Sequence, residues 1–198
     1  MTGLNALLVD LLAQTLRDPQ GAARRLMDLR PPMEARWLGL FLVTVIGFMF
    51  TKLASVLFPA GQEAQIFGFL VDPMLGLPVQ AGSLLLMSFA MAYVGRIFGG
   101  NGTFADALLL VVWLQFLLTL LQTVQFIGLL VLPPLATVIG FGSIVLFLWL
   151  MTQFIKALHG FANTAKVVIG MIVSFFAIVV VLALVFMALG ITPPLQKV

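Results

Sequence analysis

Five apolar stretches, each long enough to cross a lipid bilayer, constrain this chain more than any other feature of its sequence. They fall at residues 35–58, 74–98, 105–132, 135–157 and 166–190. About 20 residues at 1.5 Å rise span the ~30 Å hydrocarbon layer, so each stretch can cross, and the longer ones must tilt or extend into the interface. With 62% hydrophobic and 9% charged residues, the chain lies far from the roughly 25% charge of soluble domains. The expected fold is therefore all-α: a polytopic membrane protein with five transmembrane helices (35–198) behind a short amphipathic N-terminal region (1–34).

That first region is chemically distinct. Asp10, Arg17, Asp18, Arg24, Arg25, Asp28, Arg30 and Glu34 are eight of the seventeen charged residues. Leu4, Leu7, Leu8, Leu11, Leu12 and Leu16 share one half of a helical wheel with Ala6, Asp10 and Gln14 opposite, the pattern of an amphipathic helix that lies at an interface. Asp18-Pro19 then reads as a fresh helix start, with the Asp capping free amides and Pro at the first helical position. Ala22, Leu26 and Leu29 form its apolar face, and Pro31-Pro32 stops it. Met1 to Leu16 has no Lys or Arg, unlike a signal peptide, so the segment is expected to be retained.

The connections are equally specific. Residues 59–73 are mixed in character, with a short interfacial helix expected around Gln62 to Leu70. Gly99-Gly100-Asn101-Gly102 is a turn, and Thr103-Phe104-Ala105-Asp106 reads as a capping box for the third span. Pro133-Pro134 demands a tight reversal, making the third and fourth spans an antiparallel hairpin.

Counting Lys and Arg fixes an expected orientation. Arg17, Arg24, Arg25, Arg30, Arg36, Arg96, Lys156 and Lys166 fall on one side of five crossings, Lys52 and Lys197 on the other. The positive-inside rule puts the N-terminus in the cytoplasm and the C-terminus across a cell inner membrane. The formal charge of +3 thus reflects topology, and no nucleic-acid partner is expected.

Chemistry has few footholds. The chain contains no cysteine and one histidine, which removes thiolate nucleophiles and most metal chemistry. No phosphate-binding glycine loop is present, and no cofactor is expected. His159 has no nucleophile or carboxylate at useful spacing and reads as a helix-end cap. Lys52 can snorkel to the headgroups or pair with Glu63 or Asp72. Arg96, in the last turn of its span, can bind carbonyls or a lipid phosphate. Gln115, Thr119, Gln122 and Thr123 form a polar stripe on the third span. Such residues either hydrogen-bond across helices, here toward Thr152 and Gln153, or line a wet path. Small residues in spans two, four and five (Ser88, Ala92, Gly95 and Gly99; Ala136, Gly140 and Gly142; Gly170, Ser174 and Ala177) supply close-packing faces, within the chain or between copies.

Leu16-Arg17-Asp18-Pro19 with its basic short helix, Phe98-Gly99-Gly100-Asn101-Gly102-Thr103-Phe104, and Leu158-His159-Gly160-Phe161 leading to Lys166 together resemble the Yip1 family of five-helix membrane proteins, in its short prokaryotic form. The resemblance implies a cytoplasmic N-terminus and a non-enzymatic role. Eukaryotic relatives are associated with Rab-type small GTPases; the 34 residues ahead of the first span lack a long cytosolic tail, so that role is not carried over. The expected function is a scaffold, accessory subunit or assembly partner of other membrane proteins. Its contact rim would be Arg17, Arg24, Arg25, Arg30, Arg96, Lys156 and Lys166, facing anionic lipid and another integral membrane protein or a further copy. The rival is a small-solute or ion pathway lined by Gln115, Thr119, Gln122 and Gln153.

Overall fold

A computed structural model describes residues 2–57 and 72–188. Among them are seven helices and no strands: α1 (Thr2–Arg17), α2 (Pro19–Asp28), α3 (Met33–Leu57), α4 (Pro73–Ile97), α5 (Phe104–Val131), α6 (Pro133–His159) and α7 (Thr164–Ala188). Helices α3 to α7 are each long and apolar enough to span a membrane, at bounds within two residues of those expected from hydropathy. The helix anticipated around Gln62 to Leu70 lies outside the described residues.

The helix ends follow from the local sequence. Asp18 accepts the Gly21 amide at 2.9 Å and Pro19 opens α2. Asp72 caps α4 through the Met74 amide at 2.7 Å. Thr103 Oγ1 accepts the Asp106 amide at 3.1 Å and donates its hydroxyl to the Asp106 carboxylate at 2.7 Å, so the box closes between side chains. Leu132 alone separates α5 from α6, the tight reversal that two prolines impose. At the other end α4 and α6 stop in the same way. Gly99 (φ 90°) and Gly160 (φ 72°) take conformations that a Cβ would resist, and the bonds Gly100 N–H to Gly95 C=O and Phe161 N–H to Lys156 C=O close the last turns.

Helix α5 is the axis of the bundle, packing against α3, α4 and α6, while α7, among the described residues, packs chiefly on α6 and α4. Helices α1 and α2 do not float on the surface: α2 packs on α6 and α5, and α1 on α2. Leu11, Ala23 and Leu26 share one core with Leu108, Leu110, Leu150, Phe154 and Leu158. Leu7, Leu8, Leu11 and Leu12 of the leucine face of α1 pack into the core, but the last member of that face does not. Thr15 is fully buried and Leu16 is 59% exposed, because Thr15 donates to the Leu11 carbonyl at 2.7 Å and accepts the Trp113 indole N–H at 3.1 Å. In α2 the expected Ala22 and Leu26 are buried, as is Ala23, while Leu29, just past the helix end, is exposed.

Candidate functional site

The end of the bundle where α4, α5 and α6 meet the 99–103 turn collects most of the charged and conformationally special residues. At its centre is His159, 5% exposed. Gly102 N–H donates to its Nδ1 at 3.0 Å, and its Nε2 lies 2.8 Å from the Met91 carbonyl. A carbonyl can only accept, so Nε2 carries the proton and Nδ1 is bare: the neutral tautomer is the one that satisfies both contacts. A Cβ on Gly95, Gly100 or Gly102 would overlap the ring or its Cβ. The ring stacks on Phe161 with centroids 5.3 Å apart.

His159 therefore does not cap its own helix, as its position in the sequence suggested. It locks α6 to the end of α4 and to the following turn. Two motifs separated by more than 50 residues, Gly99-Gly100-Asn101-Gly102 and Leu158-His159-Gly160-Phe161, are two halves of one joint. With both ring nitrogens on backbone groups, the imidazole has no site for proton transfer to a substrate.

A second lock lies beside it. Arg36 is buried and pairs with Asp106 at 3.1 Å while its Nε donates to the Pro31 carbonyl at 3.0 Å. This ties the start of α3 to the start of α5 and to the Pro31-Pro32 stop. A third link joins Gln20 of α2 to Gln153 of α6 at 2.7 Å. Neither pairing was legible from the sequence. Arg36 differs in type from no neighbouring arginine, and Gln20 and Gln153 are 133 positions apart.

The rim residues surround these locks but are not equivalent. Arg17, Arg24, Arg30, Arg96 and Lys166 are exposed, with no acidic partner among the described residues. Arg25 is held by Asp10 and by the Gln14 carboxamide oxygen at 3.0 Å. Lys156 donates to the Thr164 hydroxyl at 2.7 Å. Arg96 donates Nε to the Gly102 carbonyl at 2.8 Å and lies over the Tyr93 ring, 5.5 Å from its centroid.

The polar stripe of α5 behaves differently from the interhelical bonding expected of it. Thr119 and Thr123 donate to their own helix, to the Gln115 and Thr119 carbonyls. Thr152 donates to the Leu148 carbonyl and contacts Met171 sulfur, and Gln153 is taken by Gln20. Gln115 and Gln122 are half-buried and have no hydrogen-bonded side-chain partner among the described residues. The amide nitrogens of Gln115 and of Gln80, which the sequence reading passed over, both lie over Gly47. Of the small residues, Ser88, Ala92, Gly95 and Ala136 are used up in internal packing, whereas Gly142 and Ala177 remain exposed. Among the described residues no three His, Asp or Glu side chains are grouped to hold a metal.

No curated protein and no solved structure matches the chain. A model of the Yip1 domain matches residues 13–185, a range that runs from the end of α1 through nearly all of α7 and includes both halves of the His159 joint. The chain belongs to the Yip1 domain family of multi-pass membrane proteins.

Proposed function

We propose that this protein is a non-enzymatic scaffold, accessory subunit or assembly partner of other integral membrane proteins, and that its docking surface is the basic end of the bundle. In this reading residues 1–34 are a cap on the transmembrane domain of residues 35–198. The protein sits in a cell inner membrane with the cap in the cytoplasm and the C-terminus on the opposite side, in keeping with the distribution of Lys and Arg.

The observation that carries the reading is the contrast between fixed and unpaired cations at that end. Arg36 and Arg25 are spent on Asp106 and Asp10, while Arg17, Arg24 and Arg30 of the cap, Arg96 of α4 and Lys166 of α7 are exposed at the same packed end of the bundle. Exposed cations held on a rigid frame next to a membrane attract acidic headgroups and an acidic partner at about 1 kcal/mol each. Complementary packing in lipid supplies the rest, with exposed Gly142 and Ala177 permitting close approach of a partner helix or a further copy.

Arg24→Glu should lower recovery of the partner in crosslinked native membranes by about fivefold or more, while Asp28→Lys should not. Unchanged recovery in Arg24→Glu would contradict the docking surface. Arg25 is the poorer probe, because reversing it also breaks the contact with Asp10. A second reading, a small-solute path, is favoured by Gln80 and Gln115 over Gly47. A carboxamide facing hydrocarbon without a partner costs several kcal/mol, and water would relieve that cost. Solute flux into proteoliposomes that is lost in Gln115→Leu supports this path; equal flux in both proteins excludes it.

A further inference from the structure

Outside the bundle core, α3 and α4 diverge around a groove of about 360 Å³. Its walls are Trp37, Phe41 and Thr44 of α3 and Pro78, Ala81 and Leu85 of α4. Trp37 and Phe41 are 43% and 69% exposed, so the groove opens outward along a membrane-spanning face. Pro78 lies inside α4 and the small side chain of Ala81 leaves the floor hollow.

Beyond the groove, a row of side chains continues along α4 to its end. On α4 the row Ala81, Leu85, Phe89, Tyr93 recurs every four residues, which places it on one side of the helix. Phe89 stacks on Tyr93 (centroids 5.6 Å, planes 15° apart) and on Phe104 (4.4 Å, 27°), and Phe104 meets Trp37 at 6.5 Å. Arg96 closes the row with its guanidinium against Tyr93.

Lengths and charge then select the occupant. From Ala81 to Arg96 the helix rises about 22 Å, which matches half of a ~40–45 Å bilayer from headgroup to midplane. Arg96 spends only Nε on Gly102, so its terminal nitrogens can donate to a phosphate, and the Tyr93 ring holds it in place. Arg96 has no acidic partner among the described residues, and Asp106 is paired with Arg36 and Thr103. Among the rim cations, Arg96 is the one in contact with the aromatic row that leads from the groove.

We propose that the α3–α4 groove and its aromatic row bind one acyl chain of an anionic phospholipid, with the phosphate on Arg96. The site shares Arg96 with the proposed docking surface and rests on that reading there, whereas the groove contains no residue of the rim, so the Ala81→Phe arm tests the groove apart from the docking role.

The test uses Trp37 as a reporter inside the groove. In a Trp149→Phe background it is the only exposed tryptophan, because Trp113 is 7% exposed. The full chain is placed in vesicles that mix unlabelled lipid with phosphatidylglycerol or phosphatidylcholine brominated in mid-chain, and quenching of Trp37 is followed. Brominated phosphatidylglycerol should bind about fivefold more strongly than phosphatidylcholine. Arg96→Gln, a surface change, should make the two lipids equal, and Lys52→Gln, at the opposite end of α3, should leave the preference intact. Ala81→Phe should reduce quenching by both lipids by filling the groove. Equal quenching by the two lipids in the parent, a preference that survives Arg96→Gln, one lost equally in Lys52→Gln, or quenching untouched by Ala81→Phe would each overturn the site.

Discussion

The two ends of the bundle are built by different rules. At the basic end, side chains from four helices interlock: Leu11, Ala23, Leu26, Leu108, Leu150, Phe154 and Leu158 are buried together, and His159, Arg36 and Gln153 tie the helix ends by hydrogen bonds. Toward the opposite end the buried residues thin out. The Gly128–Ala136 approach behind the Pro133-Pro134 reversal is one of few close contacts there. Helix α7 shows the same gradient along its own length. It is held near its start by Val167, by Gly170 against Phe98, and by Met171 against Thr152, then presents Val173, Phe175, Phe176, Val180 and Leu184 to the outside. In its most apolar stretch α5 is 44% buried and α7 only 6%. Lipid tails solvate apolar side chains as well as other helices do, so the bare stretch carries no penalty, and firm packing arises only where shape and polar bonds favour it. Stability is therefore concentrated at one end.

The largest effect that can break this comparison comes from a matched pair of aromatic truncations. Phe154→Ala, at a position 1% exposed, should cost about 4 kcal/mol. Phe175→Ala, 63% exposed, should change stability by less than about 0.5 kcal/mol. Thermal unfolding in a fixed detergent compares them, and similar losses would mean that α7 is packed after all. Next, His159→Ala removes a buried ring and orphans the Gly102 amide. A loss of about 3 kcal/mol is expected, accompanied by faster hydrogen exchange at Gly102. Arg36→Ala leaves Asp106 without its cation and should cost about 3 kcal/mol, near the low end for a buried pair because Asp106 is partly exposed. Smaller again, Thr15→Val deprives the Trp113 indole of its acceptor and should cost about 1–2 kcal/mol, visible as a shift in Trp113 fluorescence. The smallest is Asp18→Ala, a cap worth about 1 kcal/mol, read as fraying of the first turn of α2 by hydrogen exchange.

The number of spans, their order and their bounds to within two residues were readable from the sequence, because apolar length alone decides what crosses a bilayer. The caps at Asp18 and Thr103 and the reversal at Pro133-Pro134 were readable too, since each rests on residues within a few positions of one another. The apolar faces of α1 and α2 were readable except at their ends. Leu16 and Leu29 belong to those faces by hydrophobicity but are exposed, whereas Thr15, through the Trp113 hydrogen bond, and Ala23 are buried. The candidate site shows the same divide. Its cations were all visible in the sequence, yet which of them are spent internally depends on pairings such as Arg36 with Asp106, 70 positions apart. Of the glycines against His159, Gly100 and Gly102 looked like turn residues and Gly95 like a close-packing one. The lack of a side chain at all three makes room for the imidazole, a use that no spacing rule reveals. On α5 the spacing of the glutamines identified a shared face but not what that face meets.

Spin-label distance distributions in lipid nanodiscs test the central claim most directly, and the absence of native cysteine makes paired labels straightforward to place. One pair, Asn101→Cys with Asn163→Cys, spans the locked joint at the basic end; the other, Leu135→Cys with Leu184→Cys, spans α6 and the bare half of α7. A locked basic end predicts a narrow distribution for the first pair and a markedly broader one for the second. Equally narrow distributions, or a broad one at the basic end, would contradict it.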